Sequence, residues 1–160
     1  MSRRVRLSLV SLTMVVAAAS TASAQEAACK PLYDATRKAG EQPGIERTVT
    51  HDGMRMVARK TADGWFSKID DAPWRKMPYG PETGERAMLE DPGLFTKCVA
   101  GKTALVGGES ARAWSYVTRV GPAPSAATVW ISEATGLPIR VEGDGTAQVS
   151  VYRSTPFPKP

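Results

Sequence analysis

Between Ile45 and Ser154 the chain alternates apolar and polar residues in short segments divided by turn-forming pairs, and this rhythm constrains the fold more than any other feature. IERTVTH (45–51) runs into Asp52-Gly53, and GMRMVARKTA (53–62) runs into Asp63-Gly64. Asp-Gly between alternating segments signals a hairpin, because both turn residues tolerate positive φ. The two turns predict a three-stranded meander that ends in WFSKID (65–70). DAPWRKMPYGPETG (71–84) reads as a Pro/Gly-rich loop carrying Trp74 and Tyr79, and ERAMLED (85–91) as one or two helical turns before Pro92-Gly93. The second half is strand signal almost throughout. LFTKCVAG (94–101) and TALVGGES (103–110), the latter with a weak turn at Gly107-Gly108, precede a long strand ARAWSYVTRV (111–120) and a loop GPAPSA (121–126). The hairpin VWISEATGLPIRVEGD (129–144), a turn at Gly143-Asp144-Gly145 and a last strand AQVSVYRS (147–154) follow. About eight strands in succession, joined by tight turns, predict an antiparallel sheet.

One face of such a sheet must be covered, and a single helix is available to do it. From Ala27 to about Glu41, Cys29, Leu32, Tyr33, Thr36 and Ala39 recur at helical spacing, with Gly40 and QPG (42–44) as the stop and Pro31 expected in the first turn. One helix is little cover for a sheet of this size, so the sheet is expected to curl around the helix or around a cavity. The fold class expected is therefore α+β: a curled antiparallel sheet, an incomplete β-barrel, closed over one N-terminal helix.

The first residues read as an address. Arg3, Arg4 and Arg6 precede an apolar run from Leu7 to Ala19, and Ala22-Ser23-Ala24 fits a cleavage rule for a secretory signal peptide. The expected division is a cleaved segment 1–24, a single domain 25–154, and a proline-rich tail 155–160, extended and mobile. The apolar run is short for a membrane span and no later stretch qualifies, so no transmembrane anchor is expected and the expected location is the periplasm. Removing the three leading arginines leaves 18 basic against 16 acidic residues, too even a balance for a nucleic-acid partner. Cys29 and Cys98 form an even pair, which in an exported chain points to a disulfide. The rival is lipidation of Cys29, because Ala27-Ala28-Cys29 imitates the end of a lipobox. Against it, Gln25 and Glu26 separate that triplet from the apolar run, and Cys98 would be left without a partner.

No catalytic constellation is legible. The one histidine, His51, sits beside the Asp52-Gly53 turn, where a solvated imidazole is the default. Two cysteines and one histidine without close spacing give no metal signature, Asp70-Asp71 reads as a turn, and no cofactor motif occurs. The aromatic residues say more: Trp65, Trp114, Tyr116 and Trp130 lie on predicted strands. In the closing hairpin Val129, Ile131, Leu137, Ile139 and Val141 fall on one kind of position and Trp130, Ser132, Arg140 and Glu142 on the other. Both faces of several strands are partly apolar, which fits a filled core or the wall of a ligand pocket.

The pattern VWISEATGLPIRVEGD, an apolar-Trp-apolar strand, a Thr-Gly turn and a Leu-Pro-led strand carrying charges, resembles the closing element of the LolA/LolB-like lipoprotein-carrier superfamily. GGESARAWSYV (107–117) resembles a Gly-Glu-x-x-Ala-x-x-Tyr element of related exported proteins, and the resemblance covers about the last 65 residues. It implies a half-barrel with an apolar interior, and in the carriers a basic residue near the cavity mouth, for which Arg47, Arg55 and Arg140 are candidates. The function expected on this basis is non-enzymatic: a periplasmic binding protein holding a lipid, acyl chain or lipoprotein. The candidate lining residues are Trp65, Trp114, Tyr116, Trp130, Ile131, Leu137 and Ile139. The alternative expectation is a module for an envelope protein partner, using a strand edge or the 71–84 loop.

Overall fold

The structure, a computed structural model, describes residues 18–91, 93–119 and 123–160. Residues 1–17 of the expected signal peptide, residue 92, the last residue of the 111–120 segment and the first two of the 121–126 loop lie outside them. Helix α1 spans Ala18–Gly40, so it begins upstream of the expected start at Ala27, and Pro31 falls inside it rather than in its first turn. The periodic face packs as anticipated: Cys29, Leu32, Ala35 and Ala39 are all buried. Thr36 on the same face satisfies its hydroxyl by donating to the carbonyl of Leu32 at 2.8 Å.

Nine strands form one antiparallel sheet among the described residues: β1 (Gly44–His51), β2 (Met54–Thr61), β3 (Gly64–Ile69), β4 (Arg75–Lys76), β5 (Phe95–Val106), β6 (Glu109–Thr118), β7 (Ser125–Ser132), β8 (Pro138–Gly143) and β9 (Thr146–Arg153). The order β4-β3-β2-β1-β9-β8-β7-β6-β5 describes two meanders joined where β1 pairs with β9, and the sheet does not close. The turn signals hold. Asp52 and Gly53 take φ of 48° and 80°, and Asp144 and Gly145 take 49° and 70°. Asp70 also serves a turn, its carboxylate accepting from the Arg55 amide at 2.9 Å.

Three expectations change. The segments at 94–101 and 103–110 are not two strands: β5 runs unbroken through Gly101-Lys102, absorbing two register shifts, and turns at Gly107-Gly108. The 71–84 loop contributes the short edge strand β4 and the start of a second helix, α2 (Pro81–Met88), four residues earlier than the 85–91 segment foretold. The tail is extended but tied down. Phe157 bridges to Thr61, its amide donates to the carbonyl of Lys60 at 3.2 Å, and its ring lies 5.4 Å from the Arg59 guanidinium and 5.0 Å from that of Arg153.

α1 crosses one face of the sheet and is fastened to β5 by the Cys29–Cys98 disulfide, with Cα atoms 5.2 Å apart. The bond engages the Cys29 sulfur and so decides against the lipidation reading. Two core clusters share this face. One gathers Cys29, Leu32, Cys98 and Val129, with Tyr33, Phe95, Trp114 and Ile131 packed around it. The other gathers Ile45, Ala58 and Trp65, with Met77 and Tyr152. Among the described residues no helix is long and apolar enough to cross a membrane.

Candidate ligand-binding cavity

A cavity of about 240 Å³ lies between α1 and the sheet. Leu32, Thr36 and Ala39 of α1 form its roof; Tyr116, Val129, Ile131, Val141 and Tyr152 form much of its floor, and Leu94 and Phe95 one side. Strand pairing puts the floor residues together: Val129 is opposite Val141, and Tyr152 lies beside Ile45 across the β1–β9 seam. Phe95 organises the aromatic wall, meeting Tyr33 at 4.9 Å and Tyr116 at 5.2 Å between ring centroids, both edge-on. Burial holds the Tyr116 phenol above its ordinary pKa.

The polar end of the cavity is Arg47. It sits on the same face as Ile45, and its side chain is 8% exposed. Glu85 of α2 meets it with both carboxylate oxygens: Oε2 accepts from Nη2 at 2.9 Å, and Oε1 accepts from Nη1. Burial works against the guanidinium charge, but the Glu85 hydrogen bond and charge, with Tyr152 and Glu82 adding to them, outweigh it and hold the Arg47 pKa above its ordinary value. The Trp65 ring lies 6.0 Å from the guanidinium. Arg47 Nε and Trp65 Nε1 are buried without a hydrogen-bond partner. Tyr152 donates to the carbonyl of Pro138 at 2.7 Å, and burial pushes its phenol pKa up against the opposing pull of Ser150 and Arg47.

The seven residues singled out from the sequence do not converge on this cavity. Tyr116 and Ile131 line it. Trp114 packs at its disulfide end, and Trp65 is buried in the second cluster beyond Arg47. Trp130 points away, its ring 5.7 Å from the Arg140 guanidinium. Leu137 and Ile139 are buried but line a separate hollow of about 370 Å³ with Val106, Arg140, Val149 and Val151. The cause is a register shift: Trp130 pairs with Arg140 but Ile131 pairs with Pro138, which leaves Ile139 as an extra residue and breaks the strict alternation. Arg140 itself pairs with Glu142 on its own strand, and Arg55 is exposed, so of the three basic candidates Arg47 alone reaches the cavity. Its signal was present, a charged residue at an apolar parity position between Ile45 and Val49. Leu32, Thr36 and Ala39 were legible as a helix face, whereas Glu85 had no local signal.

A larger hollow of about 380 Å³ separates α1 from α2, but Arg37, Glu41, Glu82, Arg86 and Glu90 line it, and it offers an apolar ligand nothing. Among the described residues no cluster of His, Cys, Asp and Glu is placed to hold a metal ion. His51 lies exposed at the end of β1, its ring 3.0 Å from the Thr146 hydroxyl and 3.3 Å from Asp52.

No protein-family model matches the sequence, and no curated protein does. Solved structures do match the fold. The lipoprotein LppX of Mycobacterium tuberculosis aligns with a TM-score of 0.51 at 13% identity, over 84% of this chain and 97% of that one. LprF of Mycobacterium bovis aligns with a TM-score of 0.56 at 10% identity, over 84% and 96%. MucB, solved in complex with periplasmic MucA, aligns with a TM-score of 0.48 at 14% identity, over 81% of this chain and 57% of that one. The chain thus shares its fold with LppX and LprF. At these identities the likeness is one of architecture.

Proposed function

We propose that this chain is an exported, periplasmic binding protein that holds the hydrocarbon part of a lipid or acylated molecule between α1 and the sheet, without catalysing a reaction on it. The observation that carries the reading is the cavity roofed by Leu32, Thr36 and Ala39 and floored by Val129, Ile131 and Val141, a largely apolar space under a helix that one disulfide cross-links to β5. Its volume of about 240 Å³ lies just under the ~300–1,000 Å³ usual for small-molecule sites, so it takes a short chain as it stands and a longer one by displacement of α1 or α2. Affinity would come from burying apolar ligand surface, roughly 25 cal/mol per Å² before ordering costs.

The test is mass spectrometry of organic extracts from protein purified without detergent, together with binding of a fluorescent fatty acid. Co-purified lipid and saturable probe binding are expected. A clean extract from protein that also ignores the probe overturns the reading.

A further inference from the structure

We infer that Arg47 is an anion-binding residue and that the ligand of the cavity is a hydrocarbon chain ending in a carboxylate, whose place on Arg47 Glu85 takes in this structure. The inference rests on the lipid-binding reading above and names the chemical class within it.

Three features of the site support it. A guanidinium on the buried face of a strand is costly unless paired, and any apolar side chain at this position would continue the wall that Ile45 begins. Arg47 is nonetheless at the edge of the apolar cavity, where Val129, Ile131 and Val141 receive a chain and the guanidinium can receive its head. Its partner comes from another element: Glu85 projects from α2, an eight-residue helix whose neighbouring residues Thr83, Gly84 and Arg86 are exposed. The two oxygens of Glu85 span Nη1 and Nη2 as a fork, the geometry that any carboxylate adopts on arginine.

Finally, Glu85 leaves the site incompletely satisfied. Arginine carries five donors, and Nε of Arg47 remains buried without a partner, as does the indole N–H of Trp65 beside it. A carboxylate arriving from the cavity side would engage the guanidinium edge that includes Nε, while Glu85, its side chain 25% exposed, returns to water. The exchange is of one carboxylate for another, so it keeps the buried charge balanced, whereas an uncharged head would accept only a weaker hydrogen bond from Arg47 and a cationic head would be repelled by it.

The experiment compares decanoate with 1-decanol, equal in chain length and different in charge, by titration calorimetry on the processed protein at neutral pH. Decanoate is expected to bind at least about tenfold more tightly, a difference of about 1.4 kcal/mol. Arg47→Met should bring the two affinities together while decanol binding persists, and Glu85→Gln, which removes the internal competitor's charge, should tighten decanoate several-fold and raise the decanoate-to-decanol affinity ratio above that of the wild type. Equal affinities in the wild type overturn the inference and leave the lipid-binding reading standing; failure of both probes to bind overturns both. If Arg47→Met does not fold, Glu85→Gln decides alone: tighter decanoate binding supports the inference, and unchanged or weaker binding overturns it.

Discussion

The two ends of the space under α1 are built on opposite plans. At the β5 end, Cys29, Leu32, Cys98 and Val129 make an apolar cluster sealed by a covalent bond, with Tyr33, Phe95 and Trp114 packed on it. At the β1 end, Ile45, Ala58 and Trp65 surround a charged residue; Arg47–Glu85 ties α2 to β1, and the end of α1 is held by Lys60, whose ammonium donates to the carbonyls of Gly40 and Gln42. Among the described residues, the buried side-chain polar atoms without partners, Arg47 Nε, Trp65 Nε1 and Glu82 Oε2, lie at the second end. Native cores leave few such groups, and each lowers stability relative to a satisfied one. The difference teaches that the space is closed by a covalent bond of α1 at one end and by exchangeable polar contacts of α1 and α2 at the other. Stability is concentrated where the chain is cross-linked, and chemical selectivity where it is not.

The largest effect should come from breaking the anchored end. The disulfide closes a sequence separation of 69 residues, and its loss releases about 4 kcal/mol of unfolded-chain entropy in the loop-closure account. Cys29→Ser with Cys98→Ser, or reduction of the wild type, should lower the melting temperature by on the order of 10 °C. Thermal unfolding followed by circular dichroism measures this, and an unchanged midpoint would dissolve the contrast between the two ends.

The next effect probes the other end through two glycines of the 80–84 segment. A Cβ at Gly80 would overlap Trp65 Nε1 and Glu82 Oε2, although its backbone (φ −84°, ψ 155°) suits any residue. Space alone therefore forbids a side chain there, and Gly80→Ala should cost about 1–3 kcal/mol by forcing the buried indole to move. Gly84 lies within α2, where an added Cβ meets nothing within 4 Å, so Gly84→Ala should instead stabilise by about 0.5–1 kcal/mol through helix propensity. Denaturant midpoints of the pair give opposite signs if α2 is seated as described. The same sign for both would sink the close packing of Gly80 against Trp65.

How far the sequence foretold this contrast follows from the range of the interactions. The Asp-Gly turns, the strand parity of Ile45 and Val129, and the helix face of Cys29, Leu32 and Ala39 are local patterns, and they carried the curled antiparallel sheet and the roofing helix, whereas the β1–β9 seam had no local signal. Arg47 was visible as a misplaced charge, but its partner Glu85 is 38 residues away in a helix expected only in part. The unmatched Ile139 defeats parity counting because a bulge depends on the partner strand as much as on its own residues, so Leu137 and Ile139 were placed with Ile131 and lie elsewhere. Phe157 was read as part of a free tail because prolines flank it, and its bridge to Thr61 is a tertiary contact without a local signature.

The smallest effect distinguishes the ends by proton linkage. Tyr116 faces the cavity near the anchored end and is held above its ordinary pKa by burial alone; Tyr152 is raised by burial too, but Ser150 and Arg47 pull it back. In the unfolded chain both phenols release their protons near pH 10, while the native protein retains them. The native state then binds more protons than the unfolded one, so stability is complete below about pH 10 and declines as pH rises through it. Phenolate absorbance during alkaline titration should show a late-titrating population that Tyr116→Phe and Tyr152→Phe each diminish. Removing the Arg47 charge with Arg47→Met should delay Tyr152 further and leave Tyr116 where it was, because only the second end carries a charge to lose. If Arg47→Met moves both phenols equally, the cavity is electrostatically one compartment and the division between its two ends is wrong.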